Sequence, residues 1–115
     1  MPVRIIKDAV TKTELKTIAE ERFGDMVKAV VDIENSLIAV GGELHADEEA
    51  ELLSQGSKQG NLWGINIYLD KPESEWIEFD SMINIRPSAG NRSRGVEGED
   101  IRVKIIEIVN SKIKK

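Results

Sequence analysis

Hydrophobic positions recur every three or four residues in some stretches of the chain and alternate or run together in others, and each change of period marks an element. The apolar run "VRII" (3–6) predicts an opening strand. Leu15, Ile18, Ala19 and Phe23 then follow at helical spacing. Thr11 with Glu14 three positions on supplies a capping box, and Gly24 a left-handed stop. "MVKAVVDIENSLIAVGG" is β-branched on both sides of Glu34–Asn35–Ser36, which predicts a hairpin of strands near 27–33 and 37–41. "ADEEAELLSQG" predicts a short helix over 47–55, with acids in its first turn and Gly56 beyond its end. "LWGINIYL" (62–69) is the next strand. "EWIEFDSMINIR" (75–86) runs as one long strand or as two short ones broken near Asp80–Ser81, and Pro87 ends it. A polar loop (87–98) leads to a closing helix from about Glu99 to Ile113, with Ile101, Ile105, Ile108 and Val109 as its apolar stripe.

The order β-α-β-β-α-β-β-α predicts an α+β fold. It is expected as a two-layer sandwich, with a mixed or mostly antiparallel sheet of about five strands and three helices on one face. No repeat, linker or composition break divides the chain, so 1–115 is expected to be a single globular domain.

Composition narrows the chemistry. With no cysteine, disulfides, thiolate zinc sites and cysteine nucleophiles are excluded. A net charge of −5 disfavours nonspecific nucleic-acid binding, though it leaves room for a local basic site. No apolar stretch approaches a membrane span and the first residues lack a signal-peptide core, so a cytoplasmic protein with no membrane partner is the expectation.

The stretches "GELHADEE", "SKQGNLWGINIY" and "IEFDSMINIRPSAGNRSRGV" resemble those of a family of short bacterial and archaeal proteins, an uncharacterised domain of unknown function. The resemblance covers nearly the whole chain and implies a compact single domain. It implies no activity, substrate or cofactor.

Three groups of residues carry candidate chemistry. Arg86, Arg92 and Arg94 crowd one loop with Asn84 and Asn91 and no acid among them, a donor set suited to phosphate or carboxylate. Gly90 and Gly95 would let backbone N–H groups converge there. The structural alternative is a clasp in which these arginines pair with Glu78, Asp80 or the acidic helix. Second, a continuous 75–86 strand would put Glu78, Asp80, Asn84 and Arg86 on one polar face, with Ile83 and Ile85 on the other, and Asn66 and Tyr68 could join that row. Third, His45 is the only histidine. Flanked by Glu43 and Asp47, it suits a general base or an oxygen–nitrogen–oxygen set for a divalent cation, whereas its structural role would be at a helix start. Trp63 and Trp76 are candidates to stack a base.

These groups support three classes of function. The first is a domain binding a small anion (phosphate, nucleotide or RNA end) through the Arg86–Arg94 loop. The second is a metal- or His-assisted hydrolase or nuclease, with His45 as acid or base and Glu43, Asp47 or Asp80 to orient it or bind the metal. The third is a protein-interaction or homo-oligomeric domain.

Overall fold

Thr11 caps the first helix as its spacing predicts: its hydroxyl accepts the Glu14 N–H at 3.0 Å, and the Glu14 carboxylate accepts the Thr11 N–H at 3.2 Å. The structure, a computed structural model, describes residues 3–114. In chain order these form β1 (Arg4–Ile6), β2 (Val10–Thr11), α1 (Lys12–Arg22), β3 (Val27–Asp32), β4 (Leu37–Val40), α2 (His45–Ser54), β5 (Leu62–Ile67), β6 (Ile77–Glu78), α3 (Glu99–Lys112) and β7 (Ile113–Lys114). The sheet is antiparallel, in the order β1-β4-β3-β5-β6, while β2 and β7 form a separate parallel pair. The fold is α+β, with three helices and a five-stranded sheet. Among the described residues no helix is long and apolar enough to cross a membrane.

The helices divide between the two faces of the sheet rather than sharing one. Val27, Ala29 and Val31 of β3 and Trp63, Ile65 and Ile67 of β5 join Leu15 and Ile18 of α1 and Ile105 and Val109 of α3 in the main core. Val30, Ala39 and Leu62, of opposite parity, close on Leu52 of α2 in a smaller one. The cause lies in β3, whose "AVV" (29–31) is apolar on both faces. The chain must also pass over β3 to reach β5, and α2 makes that crossing. Phe23 falls beyond the end of α1 and stays 37% exposed.

The 75–86 segment departs most from expectation. Only Ile77–Glu78 is strand; residues 82–84 form a 3-10 turn, Asn84 is fully buried and Ile85 is 37% exposed. The predicted parity is therefore corrected, and with it the polar row beyond Glu78. Trp76, assigned to that polar face, is buried in the main core. The strand stops because side chains replace it along the edge of β5. Asn84 Oδ1 accepts the Gly64 N–H at 2.8 Å, and its Nδ2 donates to the Gly64 carbonyl at 2.9 Å. Arg86 Nη2 donates to the Leu62 carbonyl. Gly64 is required at this approach, since a Cβ there would stand 2.5 Å from the Ser81 side chain.

Candidate functional site

The break after β6 opens a cavity of about 270 Å3 between the start of α2 and residues 80–83. Lys28 reaches it from β3, Asn66 from β5, His45 from the first position of α2, Asp80 from the segment after β6, and Arg94 from the polar loop. Leu44 and Met82, both exposed, form apolar lips. The cavities beside α1 and α3 are lined by no buried polar side chain, whereas here His45 and Asn66 are both more than nine-tenths buried.

His45 Nε2 lies 2.8 Å from the Ile65 carbonyl oxygen. A carbonyl can only accept, so the proton sits on Nε2 and the neutral ring offers Nδ1 as a lone pair. Burial holds the imidazole below its ordinary pKa, against the opposing pull of the Ile65 carbonyl, and Asp80 and Asn66 act on the ring in that same upward sense.

Asn66 Nδ2 donates to Glu78 Oε1 at 2.8 Å and, more weakly, to the Asp80 carbonyl at 3.4 Å. Tyr68 donates its hydroxyl to the same Glu78 oxygen at 3.2 Å. Thus the Asn66–Tyr68–Glu78 part of the expected row exists. Arg94 Nε pairs with Asp80 Oδ1 at 2.7 Å, leaving the terminal guanidinium N–H groups for a ligand.

The other expected site residues lie elsewhere. The arginines do not converge. Arg86 is held under α2 by the Leu62 carbonyl, by Glu49 at 3.9 Å and by the Trp63 ring at 4.8 Å, and burial weighs against its charge. Asn91 is buried and binds the loop to itself: Nδ2 donates to the carbonyls of Asn84 and Gly95 at 2.7 and 2.8 Å, and Oδ1 accepts the Glu97 N–H at 2.8 Å. Arg92 is exposed and lies outside the cavity lining. The expected anion cradle is filled by the chain's own Glu97, whose Oε2 accepts the N–H groups of Arg92 and Ser93 at 2.7 and 2.9 Å. The Ser93 and Arg92 amides hold that carboxyl below its ordinary pKa.

Nor does the oxygen–nitrogen–oxygen set assemble. The helix begins at His45, which ends the extended alternation. Glu43 points to solvent, and the Asp47 carboxylate accepts the Leu44 N–H at 3.2 Å. Among the described residues no three such groups stand together to hold a metal ion. Trp63 and Trp76 are buried in the main core, so neither ring is open for base stacking.

Lys28 and Glu48 escaped the sequence reading. Lys28 sits mid-strand among valines, and its only signal is a charge interrupting "VKAVV". Glu48 looked like one more dipole-complementing acid, yet it is fully buried and burial pushes it up to about 9. Its Oε2 accepts the Gly42 N–H at 3.0 Å, and a Cβ on Gly42 would come within 2.8 Å of its Cγ. The paired glycines before the helix were the available signal.

No curated protein and no solved structure matches the chain. The family model described as a protein of unknown function (DUF5674) matches residues 4–112, and the chain belongs to that family.

Proposed function

We propose that the chain binds a small anionic ligand, a carboxylate or a phosphate, in the cavity at the start of α2. The observation that carries this reading is the meeting of Lys28 and Arg94, from separate elements, over a floor of buried His45 and Asn66. Of the loop cations weighed from the sequence, Arg94 alone lines the cavity, so the anion site moves from the loop into the pocket. A ligand that binds only the folded state raises the melting temperature by linkage. Inorganic phosphate or acetate at high millimolar concentration is expected to raise it by a few degrees, in the order of the linkage term. The Lys28→Ala and Arg94→Ala variants should lose most of that shift. A shift of equal size in both variants would end the reading.

A second reading, hydrolysis in the same pocket, is favoured by a neutral His45 with its proton fixed on Nε2 and Asp80 at the same cavity. Release of p-nitrophenol from p-nitrophenyl phosphate or acetate, lost in His45→Gln, is its expected sign. Release unchanged by that substitution would remove it.

A further inference from the structure

Asn66, His45 and Asp80 each present a hydrogen-bond acceptor at the cavity. Asn66 has its amide orientation set by chemistry, because Nδ2 faces the Glu78 carboxylate and the Asp80 carbonyl and both can only accept. That leaves Asn66 Oδ1 buried without a partner. The His45 ring spends its N–H on the Ile65 carbonyl and has Nδ1 left as a lone pair. The Asp80 carboxylate lines the same space, with one oxygen engaged by Arg94. An unmet buried acceptor is destabilising, so a ligand bringing donors to this floor gains what an anion alone forfeits.

We infer that the ligand carries a primary ammonium group beside its acid group, an α-amino acid with an apolar side chain being the simplest molecule that fits. Its N–H donors meet Asn66 Oδ1, His45 Nδ1 and the Asp80 carboxylate. Its carboxylate meets Lys28 and Arg94. Its side chain lies between Leu44 and Met82, which are 55% and 66% exposed and have no core to join. This inference rests on the anion-binding reading and adds the donor and the apolar body to it.

The test is calorimetric titration of the wild-type protein with leucine, methionine and phenylalanine. The same acids without the amine (4-methylpentanoate, 4-(methylthio)butanoate and 3-phenylpropanoate) and isoamylamine, which lacks the acid, serve as comparisons. At least one amino acid should bind about tenfold or more tighter than its deaminated counterpart, the ratio that one charged hydrogen bond supports. Asn66→Ala should shrink that ratio, and if this variant fails to fold, the wild-type ratio decides alone. Equal affinity for amino acids and deaminated acids would overturn the inference while leaving an anion pocket, as would binding of phosphate with no amino acid bound. Isoamylamine binding as tightly as leucine would overturn the anion reading instead. No binding by any of these compounds or by phosphate would overturn both.

Discussion

Asn84→Ala is expected to cost about 4 kcal/mol of folding stability, a large share of the roughly 5–15 kcal/mol that holds a domain of this size together. Truncation strips the partner from the Gly64 N–H and the Gly64 carbonyl together, and takes one of two donors from the Arg94 carbonyl, which keeps the Ser81 N–H at 2.9 Å. Both Gly64 groups lie in buried bonds and lose their only side-chain partner, and each unmet group costs about 1–3 kcal/mol. Asn84→Asp should recover little, because a carboxylate accepts from Gly64 but donates to neither carbonyl. Urea unfolding monitored by circular dichroism measures the loss. A variant within 1 kcal/mol of the wild type, on that same scale of buried-group costs, would show that Asn84 is not what finishes the sheet edge.

The second large effect is one of pH. Glu48 has its folded-state pKa raised by burial from the ordinary 4.5 to about 9. Between those values the folded state keeps a proton that the unfolded state has released, so stability falls as pH rises, by about 1.4 kcal/mol per pH unit. The contribution is complete below about pH 4.5 and is lost progressively up to about pH 9. Glu14, Asp32 and Glu97 have pKa values below the ordinary carboxyl range and act in the opposite sense at lower pH, so the difference between variant and wild type is the clean readout. Glu48→Gln keeps the acceptor for Gly42 and cannot ionise. It should be about 5 kcal/mol more stable than the wild type at pH 8 and close to it at pH 4.5. Parallel stability curves for the two proteins across that window would contradict the assignment.

Local signals carried most of the fold. The capping box at Thr11, the β-branched hairpin around Asn35 and the stripe of Ile105, Ile108 and Val109 are all short-range patterns, and all three elements formed where those residues stand. The failures share a physical origin. An alternating "MINIR" satisfies the rule for a strand, but whether it pairs depends on what faces it. Here the facing edge of β5 exchanges hydrogen bonds with an asparagine side chain instead of a backbone. The same holds at the site. His45, Asp80 and Arg94 were legible as reactive types, and Asn66 as a strand residue of the right parity. Their meeting at one cavity with Lys28 depends on α2 crossing the second face of the sheet, and the double-sided apolarity of β3 was the one hint of that crossing.

The small parallel pair of β2 and β7 bears on how the chain acquires its structure. Val10 and Thr11 lie against Ile113 and Lys114, and Lys112 Nζ donates to the Lys7 carbonyl from 105 positions away at 2.6 Å. The β3–β4 hairpin closes over four intervening residues, whereas this clasp must gather nearly the whole chain into a loop for two residues of pairing. Loop-closure entropy favours contacts that close short loops, so the hairpin and its sheet are expected to assemble before the clasp closes. Since Thr11 is both a strand partner of Lys114 and the cap of α1, the clasp ties the start of the first helix to the end of the last.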